Sequence, residues 1–78
     1  MDGQEWEMKS PTGKSKNTVE RSFRKAAKQS ANIIIDLRRL SMDQEKVLES
    51  CEKLFNASNR VRKMKIITKG DLLKEYNK

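Results

Sequence analysis

Residues 32–38, Asn-Ile-Ile-Ile-Asp-Leu-Arg, constrain this fold more than any other stretch of the 78-residue chain. The run is β-branched and too short for a helix, and on either side of it the apolar residues repeat with a helical period. A strand held between two amphipathic helices has few ways to bury its side chains other than as part of an α/β sheet. Three successive isoleucines predict a strand covered on both faces at its start and central in the sheet. Towards its end Asp36 and Arg38 share one face, while Leu37 points the other way.

The flanking segments complete the order. Asn17 and Glu20 have the spacing of a capping box, so a helix is predicted from Asn17 to about Ser30, with Val19, Phe23, Ala26, Ala27 and Ser30 along one stripe. Ser41 with Gln44 predicts the start of a second helix, whose stripe is Val47, Leu48, Cys51, Leu54, Phe55 and Ser58. Before these, Glu5-Trp6-Glu7-Met8-Lys9 alternates with the period of a half-buried strand, and Trp6 and Met8 are expected to face the core. Pro11 and Gly13 break the following segment into a loop. Residues 61–68 predict a third strand, Lys69-Gly70-Asp71 a turn, and residues 72–76 a fourth strand. The expected fold is mixed α/β or α+β in β-α-β-α-β-β order, with a small sheet of about four strands and two helices packed on one face. Residues 1–4 are expected to be a flexible lead, and residues 5–77 one domain. Glu7, Lys9 and Arg38 are expected on the open sheet face. The third strand is ambiguous, because either Lys65 and Lys69 or Met64 and Thr68 reach that face.

Charge narrows the function. Seven Lys or Arg and one acid, Glu20, lie between Lys9 and Lys28, and five bases without an acid lie between Arg60 and Lys69. Between them, residues 43–53 carry four acids against two bases. The net charge of +7 is thus concentrated in two patches, as suits a phosphate backbone. There is no histidine and one cysteine, so a two-histidine nuclease and an intramolecular disulfide are excluded, and a zinc site has little to build on. No apolar stretch approaches the roughly 20 residues of a membrane helix, and no signal-peptide pattern opens the chain.

Three groups of residues are candidates for chemistry. Glu7 and Lys9, two apart on a strand, share a face and precede a basic loop leading to a helix N-terminus. Ser10, Thr12, Lys14, Lys16 and Thr18 are its phosphate-binding candidates. The same Glu-x-Lys pattern also fits a metal-dependent nuclease with Asp36 as second carboxylate, or a simple ion pair beside a solvated loop. The second group is Asp36 with Arg38, where Arg38 either clamps a phosphate or forms a structural pair. The third is the 60–69 run, a backbone-tracking surface with Lys65 and Thr68 as contacts. Cys51 reads as a core thiol and Trp6 as a core anchor.

Taken together, Trp6-Glu7-Met8-Lys9-Ser10-Pro11, Asn17-Thr18-Val19-Glu20, Lys25-Ala26-Ala27-Lys28-Gln29-Ser30, residues 32–38 and Met64-Lys65-Ile66-Ile67-Thr68-Lys69 resemble one family. The chain is similar to the C-terminal ribonuclease toxin domains of contact-dependent inhibition proteins, in the group that joins barnase, EndoU, the tRNA-cleaving colicins and RelE. Relatives also occur on phage and integrative-element proteins. The resemblance implies a bacterial or mobile-element origin and a cytoplasmic site of action. It implies cleavage of RNA, often tRNA, on an open sheet face, with no cofactor. The expected reaction is metal-independent transesterification by the ribose 2′-OH, with Glu7 or Lys9 moving the proton and Lys14, Lys16 and Arg38 stabilising charge. The alternatives are a non-catalytic nucleic-acid-binding module and a protein-interaction domain whose basic face meets an acidic partner such as an immunity protein.

Overall fold

The three consecutive isoleucines divide between two environments. Ile33 and Ile35 are fully buried, and Ile34 between them is only half-buried. The strand is therefore covered on one face, not on both as the unbroken apolar run suggested. In the computed structural model, which describes residues 5–14 and 16–78, the order is β1 (Glu7–Lys9), α1 (Lys16–Gln29), β2 (Asn32–Asp36), α2 (Gln44–Ala57), β3 (Lys63–Ile67) and β4 (Leu73–Asn77). The proposed lead at residues 1–4 lies outside the described residues, as does Ser15. The β-α-β-α-β-β order and the four-stranded α+β sheet agree with the sequence.

The sheet runs β1-β2-β3-β4, with β1, β2 and β3 parallel and β4 antiparallel to β3. Each parallel pair is joined through a helix, and both helices roof the same face. Val19, Phe23 and Ala26 of α1 and Val47, Cys51 and Phe55 of α2 close over Ile33, Ile35, Met64 and Ile66 in one core. Each isoleucine buried this way contributes roughly 1.5–3 kcal/mol of transfer free energy. Tyr76 of β4 joins from the same side, its ring 5.9 Å from that of Phe55 and its hydroxyl donating to a Glu52 carboxylate oxygen at 2.7 Å.

The helix starts differ from expectation by small shifts with clear causes. Asp43, not Ser41, caps α2, and its carboxylate accepts from the Glu45 N–H at 3.0 Å. Ser41 is instead committed to the preceding loop, where its N–H donates to the Gly13 carbonyl at 2.9 Å. α1 begins at Lys16, so Asn17 lies inside the first turn rather than before it. At the β3–β4 turn Gly70 has φ 89° and Asp71 φ 61°, left-handed values that glycine adopts freely and aspartate tolerates.

Candidate nucleic-acid interface

The position of the Glu7–Lys9 pair follows from register. Glu7 lies beside Ile33 and Lys9 beside Ile35, and neighbours in a parallel ladder point to the same side. Glu7 and Lys9 therefore lie on the side of the helices, not on the open face. Met8 pairs with Ile34 and is 47% exposed on the open face. Trp6 follows the same alternation and lies under the Lys65 ammonium, which is 4.7 Å from its ring centroid. The expectation that Trp6 and Met8 face the core is overturned. β1 is an edge strand, so its helix-side residues sit at the margin of the roof, where charged groups remain accessible to water.

At that margin the Lys9 Nζ is 3.2 Å from a Glu7 carboxylate oxygen, and both side chains are part-exposed. Gln29, the last residue of α1, lies 3.0 Å from both Glu7 oxygens when its amide nitrogen is turned to donate. The strand start is pinned by two donors, since the Ser30 hydroxyl and the Asn32 amide both bond the Glu5 carbonyl, at 2.7 and 3.1 Å.

Ser10, Thr12 and Lys14 are exposed in the loop after β1. Gly13, at φ 101°, forms an isolated bridge with Leu40 that ties this loop to the segment between β2 and α2. Lys16 is the first residue of α1, but its side chain lies outside the described part of the structure. Thr18 is half-buried in the first turn. Arg21, Arg24, Lys25 and Lys28 are exposed on α1 and, with Asn17 and Glu20, line a shallow cleft of about 410 Å³. Arg24 makes a loose 3.9 Å pair with Glu20.

Arg24 and Lys28 also meet Arg60 around a groove of about 430 Å³ between α1 and the end of α2. One residue of the second basic run, Arg60, thus meets two of the first, Arg24 and Lys28, from more than thirty residues away in sequence. The sequence marked both runs as basic but did not single out Arg24, Lys28 or Arg60, because their proximity depends on how the helices pack.

Arg38 is placed elsewhere. Its guanidinium bonds both Asp36 carboxylate oxygens at 3.0 Å and Asp71 at 3.0 Å, joining the end of β2 to the β3–β4 turn. Asp36 points to the open side of the sheet, so Arg38 and Lys9 are not brought together. The guanidinium is engaged in these ion pairs while 46% of the Arg38 side chain stays exposed. The hydrogen bonds from Arg38 hold the Asp36 carboxyl below the usual carboxylate range, against a smaller opposing effect of burial, and the pairing raises the guanidinium in turn. Thr68 is buried and its hydroxyl donates to the Leu72 carbonyl at 3.3 Å, inside the turn. The ambiguous third strand resolves with Lys65 on the open face, 3.5 Å from Glu75, and Met64 and Thr68 buried.

Burial pushes the Cys51 thiol up to about 12, which suits a core residue and not a nucleophile. Among the described residues no group of three or more His, Cys, Asp or Glu side chains could hold a metal ion, and no helix is long and apolar enough to cross a membrane. The parallel strands run in sequential order, so the sheet also lacks the reversal of strand order at which open α/β sheets form a ligand crevice. The accessible charged features on the helix side are the cations of α1 with Arg60 and the Glu7–Lys9 pair.

Comparison with curated proteins and with solved structures gives no match. In the comparison with protein families, residues 1–72 match the contact-dependent growth inhibition CdiA C-terminal domain. That span includes β1, both helices, β3 and the basic face. The chain therefore belongs to this family, as a bacterial toxin domain of the kind that acts in the cytoplasm of a target cell and pairs with a cognate immunity protein.

Proposed function

We propose that this toxin domain is an endoribonuclease that binds RNA, tRNA first among the candidates, along its helix side and cleaves it without a metal ion. One arrangement carries the reading. Arg21, Arg24, Lys25 and Lys28 of α1 and Arg60 beside it stand on the same side of the sheet as the Glu7–Lys9 pair. The cations hold phosphates and release counterions, and the pair offers a proton acceptor beside a proton donor.

In this mechanism the ribose 2′-OH gives its proton to the Glu7 carboxylate while its oxygen attacks the adjacent phosphorus. The bond from phosphorus to the 5′-oxygen breaks, and the Lys9 ammonium protonates the leaving oxygen. The products are a 2′,3′-cyclic phosphate and a 5′-hydroxyl. Gln29, against Glu7, fixes the orientation of the carboxylate. Lys14, Ser10 and Thr12 from the loop ahead of α1, with Lys16 and Thr18 from its first turn, border the phosphates. Arg38 serves as a strut between strand ends, and Lys65 and Thr68 take no part.

The test is to incubate the purified domain with total tRNA, with and without chelator, and to resolve the fragments and their ends. The reading predicts fragments with cyclic-phosphate ends in both samples, and a rate loss on the order of 10² for Glu7→Gln or Lys9→Ala with binding retained. Binding without cleavage would leave a non-catalytic RNA-binding module. Loss of cleavage with chelator, restored by Mg²⁺ or Mn²⁺, would move Glu7 to a metal-dependent mechanism.

A further inference from the structure

The groove between α1 and α2 combines cations with a kind of floor that nucleic acid does not use. Arg24, Lys28 and Arg60 stand at its rim, and no acid lines it. Its floor is aliphatic: Ala27 and Leu54 are half-buried, Ala57 is exposed, and Phe23 beneath them is only 4% exposed. A hollow of about 200 Å³ that shares Leu54 and Ala57 continues the groove along α2 between Lys53 and Glu20, the carboxylate 3.9 Å from Arg24. Arg60 is presented from a fixed turn, because the Ser58 hydroxyl accepts from the N–H groups of Arg60 and Val61 at 3.2 and 3.1 Å. Among the described residues neither Lys28 nor Arg60 has an ion-pair partner.

Sites for unpaired bases commonly offer an exposed ring on which to stack. None stands here. Trp6 is on the opposite face of the sheet, Phe55 is 4% exposed, and the Tyr76 hydroxyl is bonded to Glu52. An aliphatic floor is matched by aliphatic side chains, and a wholly cationic rim by carboxylates. At about 430 Å³ the groove is within the usual range of about 300–1,000 Å³ for a bounded site and takes more than one such side chain.

We infer that this groove docks an acidic amphipathic helix of a protein partner, with aliphatic anchors over Ala27, Leu54 and Ala57 and carboxylates on Arg24, Lys28 and Arg60. It rests on the proposed function only in that Arg24, Lys28 and Arg60 belong to both surfaces, so an occupant of the groove excludes RNA from this end of α1.

The probe is a labelled helical peptide of about 16 residues with leucines at i and i+4 ringed by glutamates. Binding to the whole chain is followed by anisotropy, alongside displacement of prebound RNA. The expected result is affinity at least about tenfold above that of the same peptide with both leucines replaced by serine, since one buried leucine accounts for that much. Ala57→Gln, which fills the floor without changing charge on an exposed helix end, should weaken the peptide about tenfold and leave RNA affinity unchanged. Equal binding of the two peptides, or of the peptide to parent and Ala57→Gln, would overturn the inference, as would no binding at low salt. If the peptide binds as expected while RNA does not bind at all, the groove stands and the proposed function falls.

Discussion

The two sides of the sheet treat charge in opposite ways. On the open side three cations, Lys63, Lys65 and Arg38, share a surface with three carboxylates, Asp36, Asp71 and Glu75. Lys65 is tied to Glu75, and Arg38 to both aspartates. The residues among these pairs are apolar: Met8, Ile34, Ile67 and Leu73, with Met8 and Leu73 47% and 55% exposed. On the helix side Arg21, Arg24, Lys25, Lys28 and Arg60 line the α1 cleft and groove with one acid, Glu20. The other acids of that side are Glu7 and those of α2, Glu45, Glu49 and Glu52. The surplus charge that the sequence advertises is therefore not spread over the molecule. A run of bases in a strand alternates faces and meets partners across the ladder, whereas on a helix bordering another helix it collects along one flank. Lys65 and Arg38 thus stitch the open side, whereas on the helix side Lys28 and Arg60 have no ion-pair partner among the described residues.

The sharpest contrast is in stability. Ile35→Ala removes a fully buried side chain beneath the helices and should cost roughly 2–5 kcal/mol, whereas Ile34→Ala on the open side should cost no more than about 1–2 kcal/mol because the site was never closed. Urea denaturation of the two variants checks this. Similar costs would mean that the open face is covered in solution.

The next effect is on binding. Reversing Lys25 and Lys28 to glutamate should lower RNA affinity by roughly 10–100-fold at low salt and reduce the salt slope by about 2, whereas reversing Lys63 and Lys65 should change affinity less than about threefold. Filter binding over a salt series distinguishes the pairs, and equal losses would erase the distinction between the faces.

A smaller effect separates the faces by pH. On the open side the Asp36 carboxyl is depressed by Arg38, so its stabilisation is full above the ordinary carboxylate range and is lost as pH falls below about 4. On the helix side burial, reinforced by Glu52, pushes the Tyr76 hydroxyl up to about 12. Its stabilisation is full below about pH 10 and is lost as pH rises towards 12. Melting curves should therefore have a shallower acid limb in Asp36→Asn and a shallower alkaline limb in Tyr76→Phe, the latter with a loss of about 1 kcal/mol at neutral pH. The buried Cys51 thiol, also pushed up to about 12, keeps part of the alkaline limb in both variants. If either limb is unchanged in its variant, that group does not contribute to it.

Element order was legible because the apolar period changes cleanly between strand and helix, and the buried residues of α1 and α2 fall on the stripes their spacing implied. The faces were harder to read. The alternation of Trp6, Glu7, Met8 and Lys9 defines two sides without saying which is roofed, and assigning the apolar pair to the core was reasonable for a central strand. β1 is short and at the edge, so register against Ile33 and Ile35 decides the matter instead. For the site, the Glu7–Lys9 contact followed from spacing alone. The role of Arg38 did not, because its second partner, Asp71, lies 33 residues away across a turn. The meeting of Arg24 and Lys28 with Arg60 likewise depends on helix packing, which local periodicity does not encode.

The central claim is that polyanions meet the helix side and not the open sheet. Amide shift mapping on titration with tRNA tests it most directly, with the indole N–H of Trp6, the one tryptophan in the chain, as the reporter of the open face. The account predicts that the amides of residues 21–28 and those around Lys9 and Arg60 move together while the Trp6 indole and the β3–β4 ladder stay in place. Movement of Trp6, Lys65 and Leu73 with a silent α1 would contradict it.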